Sequence, residues 1–115
     1  MYTIRELLDG YRNKQFSPVE IATAYVSRSQ NDNLNAYITV TEEIALMQAK
    51  LSERRWQEGK PRILDGIPLS YKDNIYACDI RATSGSLIDK DFIPKNDAPV
   101  ITTLNEAGAI MIGKA

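Results

Sequence analysis

Apolar positions in the first sixty residues recur at three- and four-residue spacing, and most runs follow a helix-start signal. Thr3 and Glu6 have capping-box spacing, and Ile4, Leu7, Leu8 and Tyr11 then fall on one helical face. Gly10 interrupts that stripe, which predicts a short or frayed helix. Ser17-Pro18-Val19-Glu20 is a sharper signal. It supplies an N-cap, a proline at the first helical position and a glutamate at the third, ahead of Ile21, Ala22, Tyr25 and Val26. The spacing predicts a helix to about Ser29. The polar run Gln30 to Asn35 reads as a loop, and Ala36 to Val40 alternates weakly like a strand. Thr41 can cap a third helix with Ile44, Met47, Leu51 and Trp56 facing inward and Lys50, Arg54 and Arg55 on one solvated face.

After Glu58-Gly59-Lys60-Pro61 the texture changes. Ile67 to Lys72 reads as a short strand, Ala82 to Ser86 as a turn of small residues, and Asp97 as the cap of a helix bearing Val100, Ile101, Leu104 and Ala107. Gly108 closes that helix, and Ala109-Ile110-Met111-Ile112 follows as a buried strand. A strand, excursion, helix and strand in that order favour a parallel pair joined by a crossover. The class is therefore α/β behind a helical N-terminus. No repeat, low-complexity tract or linker divides the chain, so residues 1–115 are expected to form one domain, 1–60 mainly helical and 61–115 a strand-turn-helix-strand unit.

Composition narrows the chemistry. Fourteen Lys and Arg against fifteen Asp and Glu create no field that would gather nucleic acid or an anionic membrane. The apolar runs are far shorter than a bilayer span and the opening residues lack a signal-peptide pattern, so the expected location is the cytoplasm. The absence of histidine removes Ser-His-Asp and Cys-His catalysis and every histidine-containing metal site. One cysteine, Cys78, leaves no zinc site and no internal disulfide. No cofactor or metal is expected. Gly108 and Gly113 lack the spacing of a phosphate loop, and the tyrosines and Trp56 are scattered as core or boundary aromatics. Hydrolytic chemistry, if present, falls to Lys, Ser, Thr, Tyr or a carboxylate.

Lys72 stands out within that set. It ends an apolar strand, where α/β proteins place their sites and where desolvation favours the neutral amine a base needs, and Asp73-Asn74 follows at once. The segment Gly66-Ile67-Pro68-Leu69-Ser70-Tyr71-Lys72-Asp73-Asn74 resembles the G-I-P-x-x-x-K-D-N motif of the amidase signature family. Thr83-Ser84-Gly85-Ser86 resembles the family's T-T-x-G-S turn, with Ala82 in place of its first threonine. Asp97 through Gly113-Lys114 resembles its D-A-x-x-V-x-x-L-x-x-A-G-A-x-x-x-G-K stretch. The Ser17-Pro18-Val19-Glu20 helix and Leu34-Asn35-Ala36-Tyr37-Ile38 also look like the family's opening, so the resemblance extends over essentially the whole chain.

The resemblance implies the first strands and crossover helix of an amidase-signature mixed sheet, and amide hydrolysis by a Ser-cisSer-Lys triad in which Lys72 is the base. Asp73, Asn74, Thr83, Gly85 and Ser86 are expected to act around it and not on substrate. The family's two serines lie in a later segment, after a G-K-x-N-x-x-E-F stretch of which Gly113-Lys114 is present. The 115 residues alone are therefore expected to be inactive, a remnant or interaction module that needs a partner chain. The family also includes the amidotransferase component that makes glutaminyl- or asparaginyl-tRNA, and Gly85-Ser86 leans toward a plain amidase. The expected partners are a small-molecule amide in full-length relatives, with no nucleic acid and no membrane. Self-association or a complementing chain is expected along an apolar edge at strand 109–112.

Overall fold

The structure, a computed structural model, describes residues 2–115; Met1 lies outside the described residues. In chain order the elements are α1 (Ile4–Arg12), α2 (Pro18–Gln30), β1 (Thr39–Val40), α3 (Glu42–Gln57), β2 (Pro68–Tyr71), α4 (Pro99–Glu106) and β3 (Ile110–Lys114). Both capping boxes form. Thr3 Oγ1 accepts from the Glu6 amide at 3.2 Å while Glu6 accepts from the Thr3 amide at 2.7 Å. Ser17 and Glu20 repeat the exchange at 3.2 and 2.7 Å. Two orphan N–H groups of each helix are thus satisfied locally.

Gly10 does not fray α1. It is buried, and a Cβ there would lie 2.1 Å from the Phe16 ring, so the missing side chain lets the chain fold back against the helix. The inward face of α3 is also not the predicted one. Met47 and Leu51 are about half exposed, whereas Ala45, Ala49 and Ser52 are fully buried and Ile44 and Trp56 partly so. Small side chains on that stripe let α3 approach α2 closely, and Ala22 and Val26 meet Ala45 and Ala49 in one cluster.

The sheet order is β1-β3-β2, with β3 antiparallel to β1 and parallel to β2. The segment between β2 and β3 contains α4, so the expected crossover is present. Every residue of β3 is buried. Ile110 and Ile112 join the α2–α3 cluster, and Met111, pointing the other way, joins Tyr71, Ala77, Ile80 and Ile101. The predicted bare edge at 109–112 is therefore corrected: β3 is the central strand, and the outer edges belong to β1 and β2. A third cluster, Leu7, Tyr11, Ile21 and Ile67, fastens α1 beneath the start of β2, where the Tyr11 hydroxyl donates to the Gly66 carbonyl at 2.8 Å.

Three polar expectations also change. Asp97 does not cap α4: the N-cap position is Ala98, and the Asp97 carboxylate accepts from the Cys78 amide at 2.6 Å. Thr41 holds the N-cap position of α3, but its side chain bonds none of the helix amides and its hydroxyl donates instead to the Met111 carbonyl at 2.9 Å. Arg55 leaves the solvated face of Lys50 and Arg54. It makes a two-point pair with the fully buried Asp65 at 2.8 and 2.6 Å. Asp65 in turn packs against Gly108, where a Cβ would come within 2.7 Å of the carboxylate and φ is +92°. Only glycine combines that backbone conformation with that approach.

Candidate active site

Lys72 follows β2 directly. Tyr71 is buried, Lys72 exposed and Asp73 buried, as strand alternation requires. The desolvation expected for Lys72 is thus not supplied by these residues. Its backbone is fixed on both sides. The Ala115 amide donates to the Tyr71 carbonyl at 2.8 Å, and the Asp73 amide donates to the Ala115 carbonyl at 2.7 Å. Its side chain opens on a cleft of about 400 Å³ lined by Ile38, Asp73, Asn74, Ser84, Gly85 and Ala115. No ion pair of Lys72 is found among the described residues.

Asp73 organises the floor of this cleft. Its Oδ2 accepts from the Thr83 amide at 2.8 Å and the Thr83 hydroxyl at 2.5 Å, which draws the 83–86 turn beneath the lysine. Thr83 Oγ1 also accepts from the Gly85 amide at 3.1 Å, and the Ser86 amide donates to the Thr83 carbonyl at 2.8 Å. Ser84 and Gly85 both have positive φ, 53° and 68°, so this tight turn is built on two left-handed residues. Burial by itself would raise the Asp73 carboxyl. The Thr83 donors and the Lys114 ammonium outweigh it and hold the group below the usual carboxylate range.

The structure therefore brings Lys72, Asp73, Asn74, Thr83 and Gly85 to one place, with Ser86 in the same turn. It adds a residue that local sequence patterns do not single out. Lys114, at the end of β3, is fully buried, and its ammonium donates to the Ile75 carbonyl at 2.7 Å and the Asp73 carbonyl at 3.4 Å. It also stands 3.8 Å from Asp73 Oδ1. Burial lowers its pKa, against the opposing pull of Asp73. The signal in the sequence was position: Lys114 continues an unbroken buried strand, where a solvated lysine would be out of place.

The remaining serine near the lysine is Ser70, exposed on β2, whose hydroxyl bonds to the Tyr37 hydroxyl. Cys78 is a free, exposed thiol that does not line this cleft, with partial desolvation and neighbouring acids raising its pKa. A wider cleft of about 760 Å³ lies among Tyr11, Phe16, Pro18 and Trp56, on the helical side of the molecule, and does not include Lys72. Among the described residues there is no group of His, Cys, Asp and Glu that could hold a metal ion, and no helix is long and apolar enough to cross a membrane.

Comparison with known proteins agrees with this architecture. The family model for Amidase matches residues 20–115, and the chain belongs to that family. The A subunit of the glutamyl-tRNA(Gln) amidotransferase of Coxiella burnetii (strain RSA 493 / Nine Mile phase I) is 42% identical over 114 residues, covering 97% of this chain and 24% of that protein. Its mitochondrial counterpart from Ornithorhynchus anatinus is also 42% identical, with 97% and 22% covered. Among solved structures, the native peptide amidase of Stenotrophomonas maltophilia superposes with a TM-score of 0.88 at 30% identity, over 96% of this chain and 24% of that one. A bacterial aryl acylamidase of the amidase signature family gives 0.89 at 22% identity, which speaks to the fold alone. The chain spans about a quarter of the length of these relatives.

Proposed function

We propose that this chain supplies the lysine base of an amide-hydrolysing site of the Ser-cisSer-Lys type. One observation carries the reading: Lys72, at the motif position, leaves the end of β2 with its amine unpaired at the mouth of a cleft, while Asp73 beneath it is committed to Thr83 and Lys114. A neutral amine there can take the proton that a relaying serine receives from the attacking serine, and backbone N–H groups would hold the oxyanion. Asp73 and Thr83 hold the 83–86 turn against the lysine. Asn74, Gly85 and Ser86 shape the cleft around it. No serine of the 115 residues stands in the family's nucleophile segment, so these residues act with the family's remaining three quarters, and the small-molecule amide is bound jointly.

A second reading is favoured by the 42% identity to the amidotransferase proteins: the amide is used in a tRNA-linked amidotransferase. Under either reading the expected place of work is the cytoplasm and nucleic acid is not contacted directly by these residues. Residues 1–115 are read as one domain. A complementing chain or a second copy would pair at the outer edge of β2, since β3 is already enclosed.

The test fuses these 115 residues to the remaining three quarters of the Coxiella burnetii protein and follows hydrolysis of a panel of simple amides that includes glutamine. Turnover is expected in the fusion, with a fall of about a thousandfold or more in Lys72→Ala. A Lys72→Ala fusion as active as its parent overturns the base assignment. The 115-residue chain alone is expected to be inactive. Lysine-dependent turnover by that chain would instead make Ser70, Ser84 or Ser86 the nucleophile.

A further inference from the structure

Lys114 has an environment that few lysines occupy. Its side chain is fully buried at the end of the central strand, and its hydrogen-bond partners are two carbonyls of one turn, those of Asp73 and Ile75. Burying an ammonium is costly unless the charge is met and its donors are used. Asp73 meets the charge: Oδ1 faces the ammonium at 3.8 Å and makes no hydrogen bond, while Oδ2 takes both donors of Thr83. The same turn begins with Lys72, whose amine carries no counter-ion among the described residues although a carboxylate is its immediate neighbour in the chain.

We propose that Lys114 is a positioning residue for Lys72: it clamps the 73–75 turn and takes up the charge of Asp73, so that the neighbouring amine stays unpaired. This rests on the reading of Lys72 as the base. A base must be neutral to accept a proton, and an adjacent free carboxylate favours the ammonium instead. Lys114 removes that competitor from the inside of the fold, and Thr83 removes it from the side of the 83–86 turn. Lys114 touches no reacting atom in this scheme. Its effect reaches Lys72 only through the backbone of residues 73–75 and through the Asp73 carboxylate.

The experiment uses the 115-residue chain and trace acetylation with acetic anhydride, which reacts with neutral amines. Labelling of Lys72 is read by peptide mass spectrometry against exposed Lys50 as internal reference. In Lys114→Met the ratio is expected to fall about tenfold, the effect of an opposite charge released nearby. Adding Asp73→Asn is expected to restore the ratio to within about twofold. The variants are compared under conditions where circular dichroism shows each fully folded, so that the rescue reports the charge beside Lys72 and not recovered stability. An unchanged ratio in Lys114→Met, or a fall that Asp73→Asn does not reverse, overturns the proposal.

If Lys114→Met does not fold, Thr83→Val keeps Lys114 and strips one donor from Asp73. A fall of about threefold is then expected, and no change again overturns the proposal. The two readings fail separately. Loss of hydrolysis in the Lys72→Ala fusion alongside unresponsive labelling removes the clamp and keeps the base, whereas responsive labelling with an active Lys72→Ala fusion removes the base.

Discussion

The helical half of the molecule and the excursion between β2 and α4 are held together by different physics. Residues 4–57 bury apolar stripes, begin α1 and α2 with reciprocal caps and place small side chains where helices meet. Residues 72–98 bury Ile80 and the small Ala77 and Ala82 but turn most of their larger apolar side chains outward: Leu87 is 87% exposed and Ile88 93%. That segment is held largely by hydrogen bonds, from side chains to backbone and from backbone to backbone. Asp73 gathers Thr83, Asp97 takes the Cys78 amide, and the Asp79 and Ala82 amides donate to the Pro94 and Phe92 carbonyls at 2.9 and 3.0 Å. Burial holds the scaffold. Hydrogen bonds and buried charge place the residues around Lys72.

Among polar substitutions the largest effect on stability is expected where the helical half is tied to the turn that leads into β2. Arg55 on α3 reaches the carboxylate of Asp65, which is fully buried and also takes the Arg62 amide at 3.0 Å. Arg55→Met leaves that carboxylate charged, buried and short of its main partner, so a loss of about 3 kcal/mol is expected in urea denaturation. Adding Asp65→Asn should recover part of it, because the uncompensated charge is then gone. Equal losses in the single and double variants would show that packing of the arginine stem, and not the ion pair, holds that turn to α3.

Next comes Asp73 itself. Asp73→Asn is expected to cost about 2 kcal/mol at neutral pH, the worth of hydrogen bonds to a charged group. The pH dependence has a definite sign. The native carboxyl lies below its unfolded value, so its contribution is fully present above about pH 4 and disappears as pH falls through the lower native value. Wild type and Asp73→Asn should therefore converge in acid. Melting curves at pH 7 and at pH 3 decide it, and a gap that stays constant would remove Asp73's charge from the account.

Much of this was legible in the sequence, and the failures share a cause. The two capping boxes, β2, the small-residue turn, β3 and the place of Lys72 follow from local signals that tertiary structure did not override. For α3, the period was right and the face was wrong. Met47 and Leu51 form an apolar stripe, but a close helix contact selects Ala45, Ala49 and Ser52, and that choice depends on α2. Asp97 and Arg55 were misread, and Lys114 passed over, for one reason. Each polar side chain is claimed by a group 10 to 41 positions away in the chain, which no local pattern displays.

A smaller effect tests the scaffold's side of the contrast. Ser17→Ala removes one half of the α2 capping box and leaves the Glu20 amide unmet, for an expected loss of about 1 kcal/mol. Replacement by aspartate or threonine should retain most of the stability, because either offers an oxygen at the same place. A loss much above this would mean that the Ser17 position carries tertiary packing as well as a cap.

The smallest effect is expected at the excursion's outward apolar pair. Leu87→Ser with Ile88→Ser removes two large side chains that are almost wholly solvated, so the folded chain loses almost no buried area, and stability should change by less than about 0.5 kcal/mol. An equal pair of changes inside β3, where Ile110 and Ile112 are 0% and 1% exposed, would be expected to unfold the chain. What Leu87 and Ile88 do offer is an apolar surface raised on a segment whose order does not depend on them. If the excursion is fastened by Asp73 and its hydrogen bonds, protease resistance between residues 81 and 94 should survive the double serine change and fall in Asp73→Asn. The reverse outcome would place the segment's stability in its apolar side chains, and the contrast between the two regions would collapse.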